Sequence, residues 1–133
     1  TADAHAIRTV EQLLDVLDLD STQARTTEDI FTGSSHPMPS GRIYGGQVLA
    51  QSLLAAERTL PEDRAVHSMH GYFLRPGDAS QGITIAVDRI HDGRSFSTRR
   101  SQAYQNGVPI FSMIASFQDL SLIHISEPTD VEE

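Results

Sequence analysis

Residues 82–118 read GITIAVDRIHDGRSFSTRRSQAYQNGVPIFSMIASFQ, and this stretch decides the fold. His91-Asp92-Gly93-Arg94 and Gln105-Asn106-Gly107-Val108 each set an Asp-Gly or Asn-Gly pair between alternating runs. Such pairs favour two-residue turns with both central residues at φ > 0. Three antiparallel strands are therefore expected, at Gly82–His91, Arg94–Gln105 and Val108–Gln118. Upstream, residues 46–59 (GQVLAQSLLAAERT) are rich in Ala, Leu and Gln and carry apolar side chains on almost every face. A helix of that kind expects burial on most sides. A buried helix followed by a meander that wraps it is an α+β layout.

The chain has 133 residues, enough for one small domain that buries about two-thirds of its unfolded surface. Its formal charge of −8 argues against a general nucleic-acid or anionic-membrane surface. With no Cys there is no disulfide, thiolate nucleophile or Cys-based metal site, which fits a reducing compartment. No apolar run approaches the roughly eighteen residues that span a bilayer. All ten basic residues are Arg, so a polyanionic ligand would have to be met by local Arg clusters rather than by the overall field.

Toward the N-terminus, Thr9-Val10-Glu11-Gln12 fits a capping box. Val10, Leu13, Leu14 and Leu17 then form one apolar stripe, so an amphipathic helix is expected to lie as a lid on one end of the sheet. Thr27–Gly33 is a short strand candidate. Ser34–Arg42 (SSHPMPSGR), rich in Pro, Ser and Gly, reads as a loop leading into the central helix.

The blocks GGQ (45–47), VHS-x-H-x-YFLRPGD (66–78), DG-x-SFS-x-RR (92–100), QNG-x-PIF (105–111) and ASFQ (115–118) follow one another in the order and at the spacing of one known family. In them the chain resembles the N-terminal half of acyl-CoA thioesterase II, a double-hotdog thioesterase, over about Val10–Gln118. The resemblance implies a hotdog fold, with an antiparallel sheet wrapped around a central helix. It also implies a domain at 1–118 that stops where LSLIHISEPT begins. That run, at Leu120–Thr129, looks like translated sequencing-library adaptor, so residues 119–133 are expected to be a non-native tail in which His124 has no role.

Hydrolysis of a thioester builds negative charge on the carbonyl oxygen, and the open N-terminus of a helix offers unpaired N–H groups to receive it. Tyr44-Gly45-Gly46-Gln47 begins the central helix, and its two glycines clear side chains from an approaching thioester. Equally, Gly45 and Gly46 can serve only the turn and close packing. Water also needs a base, commonly a carboxylate. The helix offers Glu57 near its far end, and Glu62 and Asp63 follow it. The resemblance accounts for that gap: in the family, an Asp, a Thr and a Gln of the C-terminal repeat are assigned to catalysis. Overlaying that repeat on this one places Gln47, Val66 and Gln118 at their positions. An amide cannot act as the base and Val has no hydroxyl, so only Gln118 matches by residue type.

His67 and His70, three apart on one strand, are expected on opposite faces, which disfavours a shared metal. Each reads as a structural histidine, with His67 the better candidate to line an acyl or pantetheine channel. Arg75, Arg94, Arg99 and Arg100 are candidates to oppose coenzyme A phosphates. Arg99 and Arg100 must point to opposite faces, and Arg99 joins Gly45 and Gly46 as an expected acyl-CoA contact.

The resemblance implies a cytoplasmic enzyme that hydrolyses fatty acyl-CoA, with no metal or redox cofactor. This half is expected to be nearly inactive alone and to need a C-terminal hotdog repeat. An uncovered sheet edge would favour homo-oligomers. Two alternatives remain: a complete single-repeat hotdog protein acting as a homo-oligomer, and a non-catalytic acyl-CoA-binding or scaffolding repeat.

Overall fold

A computed structural model describes residues 10–25, 28–36 and 38–121. The described elements run in the order α1 (Val10–Leu17), β1 (Asp20–Arg25), β2 (Glu28–Gly33), α2 (Gly45–Glu57), β3 (Arg64–Phe73), β4 (Ile83–Asp92), β5 (Phe96–Gln105) and β6 (Val108–Asp119). One antiparallel sheet holds all six strands in the order β1-β2-β4-β5-β6-β3. Helix α2 lies against one face of this sheet, touching β3, β4, β5 and β6. This is the hotdog arrangement.

Alternation places the core. Along β5, Ser97, Arg99, Ser101, Ala103 and Gln105 are buried while the residues between them are not. The inward side chains of β4 and β6, among them Ile83, Ile85, Val87, Phe111, Met113 and Phe117, meet Val48, Ala55 and Ala56 of α2 in one cluster. Small residues on that side of α2 let the helix approach the sheet closely. The helix is less enclosed than its composition suggests. Its buried side is Gln47, Val48, Gln51, Ser52, Ala55 and Ala56, whereas Leu49, Leu53 and Leu54 are only partly buried.

The two turns behave differently. Asn106 (φ 52°) and Gly107 (φ 75°) both take the left-handed conformation that the tight Asn-Gly turn requires. The Asp92-Gly93 turn expected from that pair is not formed. Gly93 has no left-handed φ, its N–H donates to Phe96 O (2.8 Å), and the turn is centred on Arg94-Ser95. The reason is tertiary. Arg64 donates to the carbonyls of Gly93 (3.2 Å) and Arg94 (3.0 Å) and to Ser97 Oγ (2.9 Å), while Ser95 O accepts from Asp119 N–H (2.9 Å).

Near the N-terminus, strand β1 has no counterpart among the expected elements; its DSTQAR sequence shows no apolar alternation. Helix α1 forms, but the expected stripe is not its packing face. Val10, Leu13 and Leu14 are exposed, and Val16 is the buried residue. The helix packs on α2, and Gln51 Nε2 donates to Val16 O (2.8 Å). Thr9, the expected cap, and residues 122–133, most of the expected tail, lie outside the described residues.

Candidate functional site

The first turn of α2 stands open. Tyr44 precedes it in an extended conformation and makes no side-chain cap. Intrahelical bonding begins at Gln47 and Val48, whose N–H groups reach Tyr44 O, so Gly45 and Gly46 N–H lack a backbone acceptor among the described residues. Gly45 lies against Phe73, where a Cβ would come within 3.2 Å of the ring. The glycine thus serves close packing as well as leaving the helix end bare.

Beside this turn lies a groove of about 350 Å³. Ile43, Val48, Phe73 and Ile110 form its apolar walls, and Arg42 and Arg75 line it as cations. Phe73 is braced from behind by Phe111, with ring centroids 4.8 Å apart. Arg75 was legible in the RPGD block. Arg42 was not, because only the backbone bridge between Arg42 and Asp78 draws the loop before α2 to the turn after β3.

Gln47 is buried at this end, but as a strap. Its Oε1 accepts from His36 N–H (3.4 Å), and its Nε2 donates to Ser34 O and Gln51 Oε1, both at 3.4 Å. Gln51 completes the strap by donating to Ser34 O (2.8 Å). These two glutamines hold the loop that leads from β2. His36 also faces Asp15 across 3.6 Å, a clip between that loop and α1 that no local motif announces.

The other expected residues lie elsewhere. Gln118 pairs with Ala65 and Phe96, toward the C-terminal end of α2. That end is about 20 Å from Gly45 along a helix of this length. Glu57, Glu62 and Asp63 are exposed at the same distant end. Val66 faces the buried Phe117 across the ladder, yet is itself 42% exposed at the sheet edge. The structure therefore does not bring Gln47, Val66 and Gln118 together.

The histidine expectation is corrected. A bulge between Val66 and Ser68 makes His67 the extra residue, which breaks the alternation. Its ring meets Phe96 (centroids 5.4 Å apart), on the outer side of the sheet that Phe96 shares with its ladder partner Gln118. His70, paired with the exposed Ile114 and bonded to Tyr72 Oη (2.9 Å), lies on that outer side too. His67 thus lies away from the groove. Among the described residues no cluster of His, Asp and Glu is placed to hold a metal ion.

Arg99 and Arg100 do face opposite ways, but Arg99 is no ligand contact. It is 1% exposed, and its guanidinium donates to Thr59 Oγ1 (2.6 Å), Thr59 O, His91 O, Thr98 O and Asp92 Oδ1 (2.8 Å). Its donors are used in tying α2 to β4 and β5. Partial burial pushes the Asp92 carboxyl upward, but hydrogen bonds from Arg99 and Ser97, with the charges of Arg99 and Arg89, outweigh it and leave the carboxyl below its ordinary 3.8.

Residues 34–118 match the family described as acyl-CoA thioesterase N-terminal domain. The chain is 45% identical to human acyl-coenzyme A thioesterase 8 over 91 residues, covering 68% of the chain and 28% of that protein. It is 44% identical to acyl-CoA thioesterase 2 of Haemophilus influenzae over 89 residues, covering 67% of the chain and 31% of that relative. The chain thus spans less than a third of the length of these curated relatives. The solved structure of a tesB protein from Mycobacterium avium subs paratuberculosis superposes with a TM-score of 0.75 at 37% identity, over 83% of this chain and 43% of that one.

Proposed function

This chain belongs to the acyl-CoA thioesterase family, whose N-terminal domain it matches, and from that premise we propose that it is the N-terminal hotdog half of an enzyme hydrolysing fatty acyl-CoA to fatty acid and coenzyme A. The observation that carries this reading beyond the match is the bare first turn of α2 beside an apolar groove. A thioester lying there presents its carbonyl oxygen to Gly45 and Gly46 N–H, which receive the charge that builds as water adds to the carbonyl carbon. Collapse of that adduct breaks the C–S bond. The acid leaves as carboxylate, and the coenzyme's sulfur takes a proton.

The activating base comes from outside this half. No carboxylate lines the groove, Gln47 is an amide held in the strap, and the acids after α2 lie at its other end. A C-terminal hotdog repeat supplies the base, and the reaction uses water without metal or redox cofactor. The absence of Cys supports a reducing, cytoplasmic setting. We keep 1–118 as the domain and 119–133 as a tail, although β6 itself runs one residue further, to Asp119.

The buried, fully engaged Gln47 also favours a second reading, in which this repeat binds acyl-CoA without catalysing its hydrolysis. One experiment separates the two. Purified chain is assayed for thiol release from a long-chain acyl-CoA, with and without the C-terminal repeat of a related enzyme. The half-enzyme reading expects no release alone and release on addition. Silence in both mixtures favours the binding repeat, and robust release by the chain alone overturns the assignment of the base to the missing repeat.

A further inference from the structure

In a chain of net charge −8, three of the described arginines are neutralised by an adjacent acid. Arg89 pairs with Asp29 (2.7 Å), Arg99 with Asp92 (2.8 Å) and Arg100 with Asp88 (3.6 Å), while Arg58 and Arg64 donate to main-chain carbonyls. Arg42 and Arg75, like Arg58 and Arg64, have no carboxylate within ion-pair distance among the described residues, but these two alone share a groove. Asp78 is brought beside them, its backbone bridged to Arg42. Its carboxylate is turned to Ser80 N–H (2.9 Å), Ser80 Oγ (2.7 Å) and Gln81 Nε2 (3.1 Å). Arg75 is steadied by one bond, Nη1 to Pro109 O (2.7 Å), which fixes the fork and leaves its Nη2 edge without a protein acceptor among the described residues. Both side chains line the same groove, and no acid lines it. Arg94 also lacks a carboxylate but sits at the far turn between β4 and β5.

From this pairing of two unneutralised guanidinium groups with an apolar groove, we infer that Arg42 and Arg75 together hold a phosphate of coenzyme A, with the pantetheine arm lying along Ile43, Phe73 and Ile110. The inference rests on the acyl-CoA reading of the groove and assigns it the coenzyme end of the substrate. Phosphate fits better than a fatty carboxylate because its oxygens are arrayed tetrahedrally and can face two separate forks, whereas the two coplanar oxygens of a carboxylate match a single fork side by side. An acidic protein that binds a polyanion needs such a local exception to its field.

The test is an amide NMR titration of the full 133-residue chain with coenzyme A, pantetheine and decanoate. Coenzyme A at about millimolar concentration is expected to move the resonances of Gly45, Phe73 and Gly77, with an affinity that falls as salt rises. The Arg42→Gln/Arg75→Gln double variant should bind it at least roughly tenfold more weakly, the loss expected for charge-assisted hydrogen bonds. Pantetheine, which lacks phosphate, should bind both proteins alike. An unchanged amide spectrum checks the fold of the variant. If the double variant is perturbed, Arg42→Gln alone carries the comparison, since its side chain makes no hydrogen bond to the described protein. Three results overturn the inference: no response of the natural chain to coenzyme A, equal affinity in the variant, or loss of decanoate binding instead. Thiol release by the natural chain with the C-terminal repeat is measured in parallel. Release with arginine-independent binding removes this inference alone, whereas no release removes the half-enzyme reading itself.

Discussion

Arg99 carries five N–H groups, and every one is engaged inside the fold. In sequence it is one of two adjacent arginines on a strand, and nothing local says which is buried. Burying the charge is tolerable only because Asp92 and four other acceptors surround it. Asp92→Ala should therefore cost roughly 1–2 kcal/mol at pH 7, a charge-assisted hydrogen bond reduced by screening at a carboxylate that is 56% exposed. The folded carboxyl sits below its unfolded value, so this stabilisation is fully present above pH 3.8 and is lost as pH falls through the lower folded value. Urea unfolding of both proteins at pH 7 and under strong acid checks this: the gap should close in acid.

Among the elements, the β5–β6 turn was readable to the residue, because its Asn-Gly pair takes the left-handed conformation the tight turn requires. Gly107 at φ 75° has open space where a Cβ would stand, so Gly107→Ala tests conformation alone. The expected loss is about 1 kcal/mol by urea unfolding. Gly93→Ala is the useful contrast, since its conformation is not left-handed and any loss there reports crowding by His91 and Phe96 O instead. The β4–β5 turn carries an equally strong local signal and was misread. Arg64, far away in sequence, takes the carbonyls that the tight turn would have arranged differently.

Over the molecule as a unit, strand β3 forms one edge of the sheet, as β1 forms the other, and is bonded on one side only, to β6. Near and along it Val66, Tyr72, Phe73 and Leu74 are 42–61% exposed. A ten-residue edge with these apolar side chains exposed is a template for another strand. Without a sister repeat, the chain should self-associate in a concentration-dependent way, and Val66→Lys/Tyr72→Lys should return it to monomer with its melting temperature little changed. Sedimentation velocity reads both. A natural chain that is already monomeric would show that the edge is protected by other means.

The α+β layout, the central helix, the three-strand meander and the family resemblance were all written locally, in small-residue composition, alternation and turn pairs. Those signals depend on a few neighbouring residues, so one chain carries them intact. What tertiary structure decided is everything that joins distant residues. It recruited β1, whose polar sequence forms a strand only because β2 offers it a partner. It placed the bulge at His67, which moved that ring to the outer side of the sheet and away from the groove. It buried Arg99 while leaving Arg42 and Arg75 without acids at one groove. Charge neutralisation and burial depend on which groups meet in space, and no spacing along the chain encodes that meeting.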